Sequence, residues 1–350
     1  MNPPAIEVKI WYWLAFAAFV VVMLVLDLGV FHRKSRETTL REAALWTGIW
    51  ASLALIFNGL IWLVAGNDKA IQFLTGYLIE WSLSMDNVFV FAVIFSYFKV
   101  PLKYQYRVLF WGILGAIVMR LTFILVGAKV LERWDWVMYV FGAFLVYTGI
   151  KLAVHEDEHD PEKNIVLKLA RRWFPVAKES HGEYFFVREQ GRRCVTPLFL
   201  VLLVVESTDV MFAVDSVPAI FSITKDPFIV FTSNIFAILG LRALYFLLAG
   251  VMDMFRYLRY GLSAILVFVG LKMLMHWVDK PPQWFVNQFG APPAWAQRWI
   301  GNPPPWAPLL VVVGLLSVSI GASIISSRRE QARELREADG GKRKAEGGNV

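Results

Sequence analysis

Cysteine is nearly absent from this 350-residue sequence, in which Cys194 is the only one. A single cysteine cannot form an intramolecular disulfide, and a cysteine-based metal or redox pair would need a second chain. Histidine is scarce as well, with five in the chain and none in the acidic stretches described below. These absences disfavour the thiolate and imidazole sites that suit Zn²⁺ or Cu⁺.

Charged residues are also few, at 18% of the sequence against roughly 25% in soluble domains. Hydrophobic residues make up 57% of the chain, and the mean hydropathy is +0.52. This composition is typical of a polytopic membrane protein. The net charge of +7 resides mostly in short basic clusters between apolar segments, where it sets membrane orientation, so we expect no nucleic-acid partner.

Window hydropathy predicts an all-α fold with about nine transmembrane helices, each close to the roughly 20 residues that a bilayer requires. They lie near residues 10–31, 44–65, 72–98, 108–128, 136–154, 196–222, 228–250, 257–277 and 307–326. The basic stretch His32–Arg36 predicts a cytoplasmic loop after the first helix. The N-terminus is therefore expected outside and the C-terminus in the cytoplasm.

Two of these segments contain carboxylates. Glu80 and Asp86 lie in the third segment, and Glu206, Asp209 and Asp215 lie in the sixth. Each acid near the middle of a bilayer costs roughly 2.5–3.5 kcal/mol, and residues of this kind usually mark an ion or substrate pathway.

An internal repeat relates the two acidic segments. The stretch Tyr139–His155 aligns without a gap with Tyr260–His276, and Pro101 after the first acidic segment matches Pro227 after the second. The repeating unit has three helices, and an odd number predicts inverted-topology repeats, as in many secondary transporters.

The repeat divides the chain into seven parts. They are two N-terminal helices (1–71), repeat A (72–155), a cytoplasmic loop (156–194), repeat B (195–277), an outer Pro/Trp-rich segment (278–306), the last transmembrane helix (307–326) and a charged cytoplasmic tail (327–350).

The repeat also predicts that all five acids converge near the membrane midplane. In the alternative, each acid forms a private pair inside its own bundle, for example with Arg120 or Arg242. Five acids against two arginines leave an excess of negative charge that calls for a cation or protons.

The spacing of the acids limits this arrangement. Positions six apart lie roughly 120° from each other on a regular helix, so Glu80 and Asp86 cannot share one face. Either the helix is polar on two sides, or it is interrupted between the acids. Pro218 favours an interruption near Asp215 in the second copy, since proline removes a backbone donor.

The polar inventory of both stretches consists of hard oxygen donors, which suit Mn²⁺, Mg²⁺ or Ca²⁺. Ser84 and Asn87 share the stripe of Glu80, and Ser216 shares that of Asp209. The candidate metal ligands are therefore Glu80, Asp86, Asn87, Glu206, Asp209 and Asp215, with Ser84, Ser216, Arg120 and Arg242 in support.

Three stretches resemble the TerC/Alx family of bacterial integral membrane proteins. They are Glu80–Phe89, Glu206–Ile220 and Thr224–Phe246, and the resemblance extends over roughly residues 10 to 326. It implies a multi-pass transporter of the bacterial inner membrane that is associated with manganese export. The family's intramembrane acids carry over to the five acids named above, with Asn87 and Asn234 as neutral candidates.

The sequence therefore predicts a divalent-cation exporter that carries Mn²⁺ as its substrate by alternating access, with proton coupling as an open feature. The alternative is a membrane partner protein that delivers Mn²⁺ to secreted metalloenzymes or acts in a metal or tellurite stress complex. We expect no enzymatic activity, because an intramembrane aspartyl enzyme needs a motif such as Gly-x-Gly-Asp, which we do not find. We expect no permanently bound cofactor, and the oligomeric state stays open.

Overall fold

The computed structural model describes residues 10–29, 39–154, 164–177, 182–189, 191–249, 257–278, 281, 283–301 and 303–346. The basic loop predicted at His32–Arg36 lies outside these residues. The regular structure within them is helical apart from one antiparallel hairpin and an isolated bridge between Val176 and Val195. The helices in the first half are α1 (Ile10–Gly29), α2 (Leu40–Ala65), α3 (Asn67–Tyr97), α4 (Leu102–Arg133), α5 (Val137–Val154) and α6 (Ile165–Trp173).

The hairpin consists of β1 (Phe186–Glu189) and β2 (Arg192–Val195), with Phe186 opposite Val195. The helices that follow are α7 (Pro197–Phe221), α8 (Pro227–Leu239), α9 (Leu241–Ala249), α10 (Leu258–Leu274), α11 (Gln283–Phe289), α12 (Ala294–Ala296) and α13 (Trp306–Glu346). Short 3₁₀ and π turns follow α10 and α12 at Met275–Val278 and Gln297–Gly301.

Seven helices of the described chain are long and apolar enough to cross a membrane, and the pair α8 and α9 forms an eighth span if it counts as one. The apolar part of α1, Ile10–Leu26, is shorter. An all-α polytopic membrane protein is thus confirmed, while the count of nine stays a prediction.

Local sequence fixes where the site-bearing helices begin. Gly66 ends α2 with φ 88°, a conformation that favours glycine, and α3 begins at the next residue. Thr196 caps α7 by accepting from the Phe199 backbone N–H, and Pro197 occupies the first turn. The chain therefore turns sharply into α3 and enters α7 from a capped start.

The acidic helices α3 and α7 are continuous through their carboxylates, so the predicted interruption near Asp215 is wrong. Pro218 lies inside α7, but only three residues before the helix ends at Phe221. The Ser222 N–H donates to the Pro218 carbonyl and closes this last turn at 3.1 Å. The two-sided polar helix is the arrangement that remains.

The break occurs instead within the span predicted at 228–250. Gly240 separates α8 from α9, and the two helices are bent by 41°. Hydropathy could not show this break, because both halves are apolar. Because of the bend, α8, which carries Asn234, and α9, which carries Arg242, run in different directions.

The contacts between α5 and α10 have the symmetry that an inverted repeat requires. A Cβ added to Gly142 would lie 2.9 Å from the Gly270 carbonyl oxygen, and one added to Gly149 would lie 2.9 Å from the Ser263 carbonyl oxygen. The alignment of Tyr139 with Tyr260 equates Gly142 with Ser263 and Gly149 with Gly270. The two contacts therefore exchange under the repeat, although the repeat itself stays a prediction.

Helix α3 is the centre of the packing, since it contacts α2, α7, α8, α9 and α13. An aromatic cluster of Phe16, Phe57, Phe73 and Phe236 joins α1, α2, α3 and α8. These contacts hold α3 and α8 in a fixed relation near the start of α3, so that side chains further along can meet.

Candidate functional site

A fully buried arginine lies between the two acidic helices. Arg120 of α4 forms an ion pair through Nη1 with Glu80 of α3, and its Nη2 lies 3.4 Å from Asp209 Oδ1 of α7. Its Nη1 also donates to Ser216 Oγ at 3.0 Å and to Asn234 Oδ1 at 3.2 Å. We call these five residues the arginine cluster; all five are buried.

Asn234 of α8 connects the two charged partners. Its Oδ1 accepts from Arg120, and its Nδ2 donates to Glu80 Oε2 at 3.0 Å. The amide therefore presents its oxygen to the cation and its nitrogen to the anion. This amide also brings a fourth helix, α8, into the cluster.

The register of α3 and α7 extends this site along the two helices. They run antiparallel, since a Cβ on Gly76 would lie 3.2 Å from Ile220 and since Glu80 lies within hydrogen-bonding reach of Ser216. Continuing this register about two turns along α3 places Asn87 at the level of Asp209.

Several buried oxygens in this region have no hydrogen-bond partner in the described part of the chain. They are Ser84 Oγ and Asn87 Oδ1 on α3, and Asp209 Oδ2 and Asp215 Oδ1 on α7. An unpartnered buried oxygen costs free energy, so four of them on two adjacent helices are a feature to be explained by a ligand or water. We call these four atoms the open oxygens.

Asp215 and Asp86 lie close enough to interact electrostatically, on the second polar face of their helices. Asp215 also lies near Lys151 and within hydrogen-bonding reach of the Thr148 hydroxyl, both on α5. Both aspartates are half-buried, unlike Glu80 and Asp209. The second face is therefore more open to its surroundings than the arginine cluster.

Glu206 is not a member of the arginine cluster, but it interacts electrostatically with one member, Asp209, three residues further along α7. Its carboxylate lies directly against Gly115 of α4, where an added Cβ would overlap it. The neighbouring Ser207 hydroxyl accepts a hydrogen bond of 2.9 Å from Asn164, the N-cap of α6. Glu206 thus lies between the cluster and α6, a helix within the segment 156–194 that is predicted to be a cytoplasmic loop.

The expected convergence of five carboxylates differs from the arrangement found. No group of three or more acids, histidines or cysteines in the described residues could hold one metal ion. The Arg120 guanidinium lies between Glu80 and Asp209 instead. The pair with Glu80 lies within predicted repeat A, as the alternative expects, whereas the contact with Asp209 joins α4 of repeat A to α7 of repeat B.

The structure also adds residues that the sequence did not single out. Gly115 lies against the Glu206 carboxylate, Thr148 lies within hydrogen-bonding reach of Asp215, and Lys151 interacts electrostatically with Asp215. None of the three is an acid, so a search for intramembrane carboxylates could not find them. Arg242, which the sequence placed beside the acids, is buried near the start of α9.

Two buried polar links flank the site. Lys69 near the start of α3 pairs with Asp226 at 2.8 Å, and Asp226 also caps α8. Near the other end of α3, Tyr245 donates to Gln105 Oε1 at 2.8 Å. Each link joins a helix of one predicted repeat to a helix of the other.

Comparison with known proteins gives a family for this architecture. Residues 65–331 match the family described as integral membrane protein TerC family. An uncharacterized membrane protein of Myxococcus xanthus, STKORF319, is 49% identical over 318 residues, which are 90% of this chain and 92% of that protein. No solved structure matches.

A second relative has a descriptive name. The Alx protein of Escherichia coli (strain K12), named as a candidate membrane-bound redox modulator, is 49% identical over 273 residues, covering 75% of this chain and 85% of its own. A membrane protein of Rickettsia bellii is 40% identical over 265 residues, with 75% and 88% of the two chains covered. The family match and these relatives cover most of the chain, and it belongs to the TerC family of integral membrane proteins.

Proposed function

We propose that this protein exports a divalent cation, with Mn²⁺ as the preferred substrate, across the bacterial inner membrane. The observation that carries the proposal is the set of open oxygens on α3 and α7, two of which belong to the carboxylates of Asp209 and Asp215. Hydroxyl, amide and carboxylate oxygens are the ligands of hard cations such as Mn²⁺, Mg²⁺ and Ca²⁺.

Charge supports the same conclusion. When ionised, Glu80 and Asp209 bring two negative charges to the arginine cluster and Arg120 brings one positive charge. The remaining charge, with that of Asp86, Asp215 and Glu206, favours entry of a cation and disfavours an anionic substrate. Intramembrane acids of this kind typically mark ion pathways or proton relays.

Alternating access would operate between the two predicted repeats. The arginine cluster draws its members from α3, α4, α7 and α8, which belong to both repeats, so a movement of one repeat against the other would change its contacts. The proposal assigns the chain no enzymatic reaction and no permanently bound cofactor. Its N-terminus would lie outside and its C-terminus in the cytoplasm.

The second candidate is a membrane partner that hands Mn²⁺ to secreted metalloenzymes or acts in a stress complex. The name of the Alx relative, a candidate redox modulator, favours considering it. With Cys194 as the only cysteine, a redox effect of this chain could not use an internal dithiol and would have to act through the metal or a partner.

Transport by the purified protein in liposomes tests the proposal. Influx of Mn²⁺, Ca²⁺ and Mg²⁺ is compared while the internal pH is recorded, so that proton exchange appears in the same trace. Asp86→Asn and Asp215→Asn should abolish flux while leaving the protein in the membrane. Asp135→Asn, an exposed acid between α4 and α5, is the matched control and should transport normally.

The outcomes separate the two candidates. Flux that Asp86→Asn and Asp215→Asn leave unchanged would contradict the proposed pathway. A complete lack of flux in the wild type, together with recovery of translocation or stress partners by affinity purification, would favour the partner role.

A further inference from the structure

We infer that Arg120 is a tethered counter-cation: it holds the place of the transported cation between Glu80 and Asp209, and Glu206 is its alternative partner when that cation arrives. This inference rests on the proposed function and adds to it the means by which the substrate is admitted. It makes Arg120 a competitor of the substrate rather than a static structural ion pair.

The first step is that the Arg120 guanidinium occupies the place that a bound cation would need. One guanidinium contacts Glu80, Asp209, Ser216 and Asn234, which are oxygen donors of the type that a hard cation would use. A cation that is coordinated by these oxygens cannot share the space with the guanidinium. Binding of the substrate and the ion pairs of Arg120 are therefore mutually exclusive.

The second step is that the polar atoms of the cluster do not all have hydrogen-bond partners while Arg120 is in place. Arg120 Nε and Asp209 Oδ2 have no hydrogen-bond partner among the described residues, although both residues are at least nine-tenths buried. The 3.4 Å contact between Nη2 and Asp209 Oδ1 is also long for a charge-assisted hydrogen bond. Arg120 thus binds Glu80 closely and Asp209 loosely.

The third step is the place to which the guanidinium can move. Helices α4 and α7 run in the same direction, because Gly112 lies against Val205 and Gly127 against Phe221. Long side chains on a helix lean toward its N-terminus. For Arg120 this direction leads along α7 from Asp209 toward Glu206.

The distance is within the reach of one side chain. Gly115, which touches the Glu206 carboxylate, precedes Arg120 by five residues, or about 7.5 Å along the helix axis. Glu206 and Asp209 are three residues apart on α7 and therefore lie on one face. The guanidinium can therefore exchange its contacts with Glu80 and Asp209 for one with Glu206 on the same face of α7.

The exchange explains an asymmetry between the repeats. In the register that equates Glu80 with Asp209, the counterpart of Glu206 in the first copy is Tyr77, which is buried and uncharged. Only one copy supplies an alternative carboxylate, and only α4 supplies the arginine of the cluster. Glu206 is thus a positioning residue for Arg120.

A double-mutant cycle on full-length protein tests this coupling. Mn²⁺ binding is titrated in detergent for the wild type, Arg120→Gln, Glu206→Gln and the double variant. Arg120→Gln should tighten binding on the order of tenfold, because the competitor is gone, and Glu206→Gln should weaken it by a similar factor. In the double variant the effect of Glu206→Gln should disappear.

Two alternative roles for these residues predict different results in the double-mutant cycle. If Glu206 were a direct ligand of the metal, its replacement would weaken binding equally with either residue at position 120. If Arg120 were only structural, Arg120→Gln would weaken binding or leave it unchanged. Either result would overturn the inference.

The exposed α4 residues Arg133 and Glu132 supply the control variants Arg133→Gln and Glu132→Gln, whose Mn²⁺ binding should match that of the wild type.

Folding of the variants need not limit the test. If Arg120→Gln does not accumulate, Arg120→Lys keeps the charge without the planar fork and completes the same cycle, with a smaller effect of Glu206→Gln than in the wild type. Equal effects in both backgrounds would again overturn the inference. Absence of wild-type flux in liposomes, by contrast, contradicts the proposed function itself, so the two failures are distinguishable.

Discussion

At the scale of single residues, Gly115 determines how closely Glu206 can approach α4. Gly115→Ala would place a methyl group where the carboxylate now lies. Because the atoms displaced are the far end of a flexible side chain, the fold should tolerate the change, and alanine should stabilise the helix by up to about 1 kcal/mol. We expect the initial rate of Mn²⁺ transport to fall several-fold while the melting temperature stays or rises.

The control for this change is Gly48→Ala on α2, where an added Cβ meets nothing within 4 Å. It should share any gain in helix stability and keep the wild-type transport rate. A transport rate in Gly115→Ala equal to that of the control would show that the position of Glu206 has no role in transport.

The buried pair of Lys69 and Asp226 gives a second prediction. Lys69→Met leaves Asp226 buried without its cation, and breaking a buried pair in this way costs about 3–5 kcal/mol. We therefore expect a large decrease in the free energy of unfolding, measured by denaturation in detergent. Lys129→Met, at an exposed position of α4, should change it little.

The double variant identifies the cause. Asp226→Asn keeps an oxygen that can cap α8, so Lys69→Met combined with Asp226→Asn should recover much of the stability lost in Lys69→Met alone. A double variant as unstable as Lys69→Met would show that the loss comes from the packing of the lysine stem and not from the unpaired charge.

The sequence was informative about the acids and uninformative about their partners. A carboxylate in an apolar span is costly enough to be noticed from composition alone, as Glu80, Asp209 and Asp215 were. Which atom neutralises Glu80 depends on how four helices are rotated about their axes. Neither hydropathy nor spacing contains that information, so the bridging position of Arg120 emerged only from the structure.

At the scale of helices, hydropathy located the apolar segments and missed what happens inside them. Every predicted span overlaps a helix of the structure, because about 20 apolar residues form a helix in a bilayer. The bend at Gly240 divides one span into α8 and α9 without any change in hydropathy. The prediction from Pro218 was wrong because this proline lies in the last turn of α7, where the missing backbone hydrogen bond does not interrupt the helix.

The crossing of α5 and α10 depends on two close backbone approaches. A Cβ on Gly270 would lie 2.7 Å from the Gly142 carbonyl oxygen, and backbone atoms cannot move aside as a flexible side chain can. Gly270→Val should therefore separate the two helices and destabilise the protein by about 1–3 kcal/mol, as overpacking typically does. Thermal unfolding in detergent measures the effect.

Gly314→Val on α13 is the matched control, because nothing lies within 4 Å of a Cβ at that position. It should melt near the wild-type temperature. The symmetric contact predicts the same effect at Gly149, the position equivalent to Gly270. The valine side chain of Gly149→Val would meet the Ser263 backbone and should lower the melting temperature by a similar amount. Tolerance of valine at both glycines would contradict the close crossing.

At the scale of the whole molecule, the arrangement depends on the two acidic helices crossing the membrane in opposite directions. Antiparallel contact between α3 and α7 brings Glu80 to the level of Ser216 and Asn87 to that of Asp209. Three spans, α4, α5 and α7, separate the end of α3 from the end of α7. An odd number of spans places these two ends on opposite sides of the membrane.

Cysteine accessibility tests this topology, and the scarcity of cysteine makes the chain suited to it. In a Cys194→Ser background, Lys103→Cys reports the end of α3 and Lys225→Cys the end of α7; both lysines are exposed. Lys103 is preferable to Lys99, whose positive φ of 50° would strain a cysteine.

With the N-terminus outside, a membrane-impermeant maleimide should label Lys225→Cys in intact cells and Lys103→Cys only after permeabilisation. The reverse pattern would keep the inverted repeat and invert the predicted orientation. Labelling of both sites from one side would remove the basis for a site shared between inverted halves, because α3 and α7 could not then cross the membrane in opposite directions.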